Sequence, residues 1–336
     1  MNRIYVQTND AERNEVIAFD RSDDGRLQPL GRYETGGRGT GKPHLASQSS
    51  VALSDEGSHL LVTNAGSDEV SVFAVEQDGL RLEATVASGG NAPTSVAVHG
   101  ERVYVLNNGS PNISGFELDD RGLTPVESSA RELSDGADPA QVSFSPDGRT
   151  LVVTERGTNA ISSFAMGDDG LAEGPSTIPS AGATPYGFDF ADGAVIVTEA
   201  FGGAEGKAAA SSYAVSAGRL AAVSPSVADT RSEVCWAAAT RDGRFVYVTN
   251  FGDGTISSYA VGDGGSIELL EAVAATTRLG EAGVRDEAIT GDGRFLYAID
   301  ADAQRVFGWT IGDDGKLEPV GEFEGLPATV AGLAAS

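Results

Sequence analysis

Residues 138–166 alternate apolar and polar positions in three short runs separated by polar turns. The runs are QVSFS, RTLVVTE and AISSFAM, and the first two flank an Asp-Gly pair. Alternating and β-branched residues between such turns predict short antiparallel strands joined by hairpins. A fourth strand is predicted after the turn at residues 167–170. The segment therefore predicts one four-stranded antiparallel sheet.

The same pattern recurs along the whole chain. Each predicted third strand carries one aromatic residue at the same place, and there are seven of them: Phe19, Phe73, Phe116, Phe164, Tyr213, Tyr259 and Trp309. The predicted first strands recur 43 to 50 residues apart, through Ser50, Ser95, Gln141, Gly187, Trp236, Asp286 and Thr329. A four-stranded repeat of roughly 40–50 residues is typical of a β-propeller blade.

The predicted fold is an all-β, seven-bladed β-propeller that occupies residues 1–336 as one domain. The first repeat lacks its innermost strand, because residues 3–8 already match a second strand. The missing strand is predicted at the other end of the chain, in PATVAGLAA at residues 327–335. Such a closure would remove the exposed sheet edge between the first and last blades. The repeated aromatic residues are expected to pack between adjacent blades.

The composition is strongly acidic, with 49 acidic residues against 23 basic ones and a formal net charge of −26. This balance argues against nucleic acid and anionic membrane as partners, since both require basic patches. Two origins remain open for the acidic, lysine-poor surface: a high-salt cytoplasm or a GC-rich genome.

A single cysteine, Cys235, excludes an intrachain disulfide and permits a reducing compartment. It is expected to be a buried apolar filler rather than a nucleophile. No apolar run approaches the ~20 residues of a membrane span. The chain opens with the strand-like MNRIYVQTN instead of a charged and apolar leader, so the expected location is the cytoplasm.

Polar residues end most of the predicted second strands, and they could form a ring around the channel: Asn64, Asn107, Glu155, Glu199, Asn250 and Asp300. Neighbouring carboxylates can raise one another's pKa and produce a general acid or base. Carboxylate and amide oxygens also suit a hard cation, so Glu155, Glu199, Asn250 and Asp300 would be the ligands if Ca²⁺ were bound. The alternative is that these residues only cap turns. That alternative is favoured for the asparagines, and function is favoured for the three carboxylates.

The seventh inner strand is unusually charged, with Arg285, Asp286 and Glu287 in sequence. We expect Glu155 and Glu199 to lie across the axis from Arg285 and Asp286, and these four are the predicted catalytic residues. Arg285 would polarise a carbonyl or anchor a substrate carboxylate, while Glu155 would move a proton beside the charge of Glu199. No cofactor is expected apart from the possible Ca²⁺.

Further residues at the predicted mouth of the ring are candidates for substrate binding: His44, Gln141, Tyr186, Trp236 and Asn250. The stretch GGRGTGKP at residues 36–43 approaches a phosphate-loop pattern. It fails because Pro43 replaces the required Ser or Thr and a strand, not a helix, follows. The insertion AFGGAEGKAAA, residues 200–210, could be a mobile lid or an inert loop.

The segments SPDGRTLVVTERGTNAISSF and RDGRFVYVTNFGDGTISSY resemble the lactonase family of seven-bladed propellers. That family includes bacterial 6-phosphogluconolactonases and fungal carboxy-muconate cyclases. The resemblance covers all seven repeats, with local matches at Glu155, at Asn250 and at the Arg285-Asp286 pair. It departs where the family has histidines opening inner strands, since this chain has Ser95 and Gln141. It departs again at Phe251, where the family commonly has arginine. The resemblance implies the fold and a lactone-like substrate without naming it.

Two functions of different class follow. The first is an enzyme that hydrolyses or forms a small lactone or cyclic ester, from a sugar or organic acid, at the channel mouth, with a Ca²⁺-dependent hydrolase as a variant. The second is a non-catalytic propeller that holds a protein or small ligand. Close approach of Glu155, Glu199 and Arg285 would favour the enzyme. A channel plugged by apolar side chains and an exposed aromatic patch would favour the scaffold.

Overall fold

The computed structural model describes residues 1–43, 45–119 and 122–336. They form seven antiparallel sheets, and each sheet contains the four strands of one propeller blade. The predicted seven-bladed β-propeller is confirmed. Two short 3₁₀ turns lie at Phe201–Gly203 and Asp263–Gly265, and no helix in the described ranges is long and apolar enough to cross a membrane.

We number the blades from 1 to 7 in the order of their repeats. The inner strands of blades 2–7 and then of blade 1 are β4 (Val51–Leu53), β8 (Pro93–His99), β13 (Pro139–Phe144), β17 (Pro185–Ala191), β21 (Val234–Ala239), β25 (Val284–Ile289) and β29 (Ala331–Ala335). The second strands of blades 1–7 are β1 (Arg3–Gln7), β5 (His59–Asn64), β9 (Arg102–Asn107), β14 (Thr150–Glu155), β18 (Ala194–Glu199), β22 (Phe245–Asn250) and β26 (Phe295–Asp300). The third strands are β2 (Glu15–Arg21), β6 (Glu69–Glu76), β10 (Asn112–Asp119), β15 (Ala160–Met166), β19 (Ala209–Ser216), β23 (Thr255–Gly262) and β27 (Arg305–Ile311). The outer strands are β3 (Leu27–Glu34), β7 (Gly79–Ala87), β11 (Gly122–Pro125), β16 (Ala172–Pro179), β20 (Arg219–Ala228), β24 (Ser266–Thr276) and β28 (Leu317–Glu324), and β12 (Arg131–Glu132) also pairs with β10.

The ring closes through the two ends of the chain. Strand β29 pairs antiparallel with β1 and supplies the inner strand of blade 1. The backbone N–H of Ser336 donates to the carbonyl of Arg3 at 2.9 Å, which extends this pairing to the last residue. The predicted closure is confirmed.

The hydrophobic core lies between the blades rather than in one centre. Phe19 of blade 1 belongs to the same buried cluster as Phe295 and Tyr297 of blade 7, and Trp309 of blade 7 packs with Tyr247 of blade 6. All seven repeated aromatic residues are buried. Each blade therefore uses its third-strand aromatic to bury apolar area against a neighbour, as predicted.

Every inner strand runs in the same sense along the channel, so the ring has two distinct faces. We call the face where inner strands begin and second strands end the mouth face. There Pro139 pairs with Glu155, and Pro185 pairs with Glu199. The Asp-Gly turns that join inner to second strands lie on the opposite face.

Candidate functional site

The backbone is irregular where the inner strands of blades 4–7 begin, and this irregularity changes the direction of the side chains there. The residue before three of them has a left-handed backbone, with φ of 41° at Asp138, 58° at Thr184 and 57° at Glu233. Non-glycine residues rarely adopt this conformation. A register shift then follows within β13, β17, β21 and β25. Such bulges redirect side chains and are frequent beside active sites. In blades 5, 6 and 7 the shift contains the pairs Tyr186-Gly187, Cys235-Trp236 and Arg285-Asp286.

Two of the predicted binding residues form the aromatic centre of the mouth. The rings of Tyr186 and Trp236 meet edge to face, with centroids 5.7 Å apart and planes at 70°. Both side chains are buried and cluster with Ala140 and Cys235. The indole Nε1–H of Trp236 donates to the carbonyl of Ser47 at 2.7 Å. The segment leading into β4 therefore covers the middle of the mouth.

Gln48, in the same segment, spans the channel. Its Nε2–H donates to the carbonyl of Ala237 at 2.7 Å, and its Oε1 accepts from the N–H of Ala237 at 3.1 Å. Its backbone N–H donates to the carbonyl of Ala140 at 3.2 Å. Blade 2 is thereby tied to blades 4 and 6 across the ring. A Cβ added at Gly187 would lie 2.2 Å from Gln48 Oε1, so this position requires glycine.

Two arginines flank the aromatic centre. The guanidinium carbon of Arg156 lies 4.9 Å from the centroid of the Tyr186 ring, and that of Arg285 lies 4.4 Å from the centroid of Phe251. Arg156 also pairs with Asp138 at 2.7 Å and keeps 15% of its side chain exposed. Stacking a guanidinium on a ring stabilises the charge and fixes the plane of its donors. Phe251, a departure from the family pattern, thus supports Arg285.

Glu233, the residue before β21, is half-buried and lies within electrostatic reach of Arg285. Burial raises the pKa of its carboxyl group, and the charge of Arg285 acts in the opposite direction. A Cβ built on Gly203 would lie 3.7 Å from Glu233 Oε1, so the insertion after β18 reaches this carboxylate. Burial also raises the pKa of Cys235 and of Tyr186, with Arg156 and Arg285 opposing the shift. The mouth therefore combines low polarity with two positive charges.

Glu155 makes its hydrogen bonds inside blade 4, and the expected position across the axis from Arg285 stays a prediction. Its side chain is fully buried within blade 4, where Oε1 accepts from Ser162 at 2.6 Å and Oε2 accepts from Thr158 at 2.9 Å. Both partners lie on the side of the second strand away from the channel. This pair of hydrogen bonds ties the end of β14 to β15, which is a structural role. A catalytic role for Glu155 stays a prediction without support from the geometry.

Glu199 occupies the equivalent place in blade 5 and is also fully buried. Its Oε1 accepts from the N–H of Gly182 at 2.7 Å and from the hydroxyl of Ser211. The carboxylate therefore joins the loop entering blade 5 to strand β19. The juxtaposition of Glu199 with Glu155 and Arg285 likewise stays a prediction.

The remaining polar ends of second strands are also held by hydrogen bonds or ion pairs, and Asn64 accepts from the side chains of Asn14 and Thr35 of the preceding repeat. Asn250 donates to the hydroxyl of Ser257 at 2.8 Å. Asp300 pairs with Arg278 at 3.3 Å and accepts from the N–H of Ala303 at 2.8 Å. The four predicted Ca²⁺ ligands, Glu155, Glu199, Asn250 and Asp300, thus belong to separate networks. In the described residues no three His, Cys, Asp or Glu side chains are arranged to hold a metal ion.

Gln141 and Asp286 lie deeper in the channel than the mouth. The side-chain amide of Gln141 donates to the carbonyl of Phe188 at 2.9 Å and accepts from its N–H at 2.6 Å, linking blade 4 to blade 5. Asp286 accepts from the N–H of Gly332 at 2.8 Å, linking blade 7 to blade 1. Burial raises the pKa of Asp286 to about 7. His44 lies outside the described residues.

The structure adds three residues to the predicted set. Arg156 and Phe251 each follow the last residue of a second strand, and Glu233 precedes an inner strand. These positions repeat from blade to blade, so an unusual residue type at each of them could be seen in the sequence. The contacts of Arg156 and Phe251 could not be seen there, because each stacks on a residue of another blade.

Comparison with known proteins agrees with this fold. The family model described as Lactonase, 7-bladed beta-propeller matches residues 3–131, 121–200 and 197–329. A periplasmic gluconolactonase from Pseudomonas aeruginosa is similar in structure at 18% identity and a TM-score of 0.77, with 99% of this chain and 98% of that chain covered. A proposed 6-phosphogluconolactonase from Bacteroides fragilis is similar at 17% identity and a TM-score of 0.76, with coverage of 100% and 98%.

At these identities the likeness to solved structures shows the fold alone. A search of curated protein sequences found no match. The family model, however, matches nearly the whole chain and all seven blades. The chain therefore belongs to the lactonase family of seven-bladed β-propellers.

Proposed function

We propose that this protein hydrolyses a small lactone at the mouth face of its channel. One observation carries the proposal: Arg156 and Arg285 each stack on an aromatic ring at the mouth, and the charge of Arg285 acts on the half-buried Glu233. Family membership supports a lactone-like substrate. The site provides a cation for the carbonyl oxygen, a second cation for a further anionic group and a carboxylate to move a proton.

Arg285 is the residue proposed to stabilise the developing oxyanion. Water attacks the lactone carbonyl carbon, and the carbonyl oxygen gains negative charge in the transition state. A guanidinium held beside that oxygen in a poorly hydrated site lowers the barrier, because its position needs no rearrangement during the reaction. Phe251 holds the plane of Arg285 by stacking at 4.4 Å.

Glu233 is the proposed general base. Its carboxylate accepts a proton from the attacking water and returns it to the ring oxygen when the C–O bond breaks. The product is the open hydroxy acid, and the base is regenerated. Burial raises the pKa of Glu233 above its usual value, and a higher pKa makes the carboxylate a stronger base.

Arg156 defines the class of substrate. It is partly exposed and already paired with Asp138, so it can add an oxygen ligand without being left unpaired when the site is empty. Guanidinium donors match carboxylate and phosphate oxygens in a bidentate geometry. We therefore expect lactones that carry one carboxylate or phosphate group to be better substrates than neutral ones.

The test is a panel of neutral, carboxylated and phosphorylated lactones, assayed with and without EDTA. On the best substrate, Glu233→Gln should lower kcat about 10²–10⁴-fold, and Arg285→Met about 10²–10³-fold. Glu268→Gln, on the exposed outer strand of the same blade, is the matched control and should retain wild-type kcat. If folded Glu233→Gln and Arg285→Met both keep wild-type kcat/KM, the assignment is wrong.

One part of the signature predicted for the scaffold alternative, an exposed aromatic patch, is not found among the described residues. The large hydrophobic residues exposed in the described ranges are Met1, Leu82, Val223, Leu270, Val273 and Leu279, and none is aromatic. An outcome in which the protein binds lactones through Arg156 and Arg285 without turnover would favour a binding function over the hydrolase.

A further inference from the structure

Below the Gln48 bridge the channel widens into a cavity of about 400 Å³. Its wall on blade 6 is the small-residue run Ala237-Ala238-Ala239 of β21. Gln48 and Gln141 line it from blades 2 and 4, and both amides are occupied by backbone partners. None of the described residues lining this cavity is Lys, Arg or His.

Three carboxyl groups line the same cavity, and two of them have hydrogen-bond donors. Asp189 accepts from the N–H groups of Ala239 and Phe190, both at 2.8 Å. Asp286 accepts from the N–H of Gly332 at 2.8 Å. These carboxylates fasten neighbouring inner strands together, so their presence has a structural explanation.

Glu287 has no such explanation. It is 4% exposed, and among the described residues neither Oε1 nor Oε2 has a hydrogen-bond partner. Burying an unpaired carboxylate is costly, and Asp189 and Asp286 line the same cavity. An apolar residue would fill the site at less cost. A ligand that Glu287 contacts would account for its presence.

We propose that this cavity binds a hydrated divalent cation of the Mg²⁺ type, with Glu287 as its anchor. The lining offers three carboxyl groups, one from blade 5 and two from blade 7, and no Lys, Arg or His among the described residues. Since the described residues provide no set of three side chains arranged to chelate an ion, the ion keeps its water shell. Mg²⁺ dehydrates reluctantly and is commonly held through one or two carboxylates and several waters. Six waters need about 180 Å³ at roughly 30 Å³ each, which the cavity accommodates.

This site is distinct from the proposed catalytic residues at the mouth, so its test does not depend on turnover. Mn²⁺ is the probe, titrated into metal-free protein at pH 8 and followed by electron paramagnetic resonance of the free ion. KCl at 0.5 M weakens non-specific attraction to the acidic surface. We expect one Mn²⁺ per chain, displaced by excess Mg²⁺, and at least tenfold weaker binding to Glu287→Gln. Glu318→Gln, on the exposed outer strand of blade 7, should bind as the wild type does.

Two results would overturn the proposal. One is a wild-type protein that binds no stoichiometric Mn²⁺, and the other is a folded Glu287→Gln variant that binds Mn²⁺ as tightly as the wild type. If circular dichroism shows that Glu287→Gln is unfolded, Asp286→Asn takes its place, because asparagine can still accept from Gly332. Unchanged Mn²⁺ affinity in that variant would equally reject the site.

Discussion

Replacing Glu155 tests whether this residue stabilises the fold or takes part in catalysis. The sequence pointed to a catalytic carboxylate, whereas the structure buries it between Ser162 and Thr158. Glu155→Ala removes two hydrogen bonds to a charged group, each worth about 1.5–3 kcal/mol. We therefore expect the free energy of unfolding to fall by about 3–6 kcal/mol. Glu155→Gln should lose less than half of that, since its amide can accept from Ser162 and donate to the Thr158 hydroxyl.

Differential scanning calorimetry measures this effect directly. With an unfolding entropy of about 2.1 cal/mol/K per residue, a loss of this size lowers the Tm of a 336-residue chain by roughly 4–9 °C. Glu173→Ala, on the exposed outer strand of the same blade, is the control and should leave Tm unchanged. The lactone that the wild type hydrolyses best should be hydrolysed by folded Glu155→Ala at a rate within a few-fold of wild type. A variant that melts like the wild type but loses 100-fold in kcat/KM would refute this reasoning and restore the catalytic assignment.

Four further outcomes follow from the same structure. Deleting residues 327–336 removes β29 and leaves the inner edge of β1 unpaired, so expression should yield aggregated or unfolded protein; a soluble truncation with a cooperative melt would contradict this. With 49 acidic against 23 basic residues, Tm should rise between about 0.05 M and 1 M KCl as the Debye length shortens to ~3 Å, and a flat profile would show that the surface charge is already compensated. Gly187→Ala places a Cβ 2.2 Å from Gln48 Oε1 and should cost about 1–3 kcal/mol, measured by thermal melts, with Gln48→Ala relieving part of the loss. Burial raises the pKa of Asp189 to about 6, so the folded state binds this proton more tightly than the unfolded state does. In EDTA, the roughly 3 kcal/mol that this adds to the free energy of unfolding should be lost as pH rises from about 4 to 6. Asp189→Asn should remove that part of the dependence of stability on pH.

The fold was predictable because the same pattern of strands, turns and aromatic positions recurs in all seven repeats of the sequence. Seven aromatic residues at one place in each repeat fix the third strands, and all seven are buried between blades. The closing strand followed from one missing segment and one surplus segment. The face of the ring that carries the site also followed, because Tyr186, Trp236 and Arg285 do begin inner strands there.

The detail of the site was not predictable from the local pattern. Glu155 and Glu199 end second strands, and an inner strand lies between each of these and the channel, so their side chains turn towards neighbouring strands. The bulges that re-aim Arg285 depend on pairing register, which alternation alone does not determine. The path of Gln48 across the ring depends on contacts with residues 189 positions away.

The closure of blade 1 by β29 also determines when this blade can be completed during synthesis. Strands β1, β2 and β3 emerge from the ribosome first, yet their inner neighbour β29 is made about 300 residues later. At roughly 5–20 residues per second, the edge of β1 stays unpaired for roughly 15–60 s while the other six blades are made. Blade 1 is therefore the first of the seven blades to be translated and the last to be completed. Until β29 is made, the unpaired edge of β1 is the place where the nascent chain is most open to incorrect strand pairing.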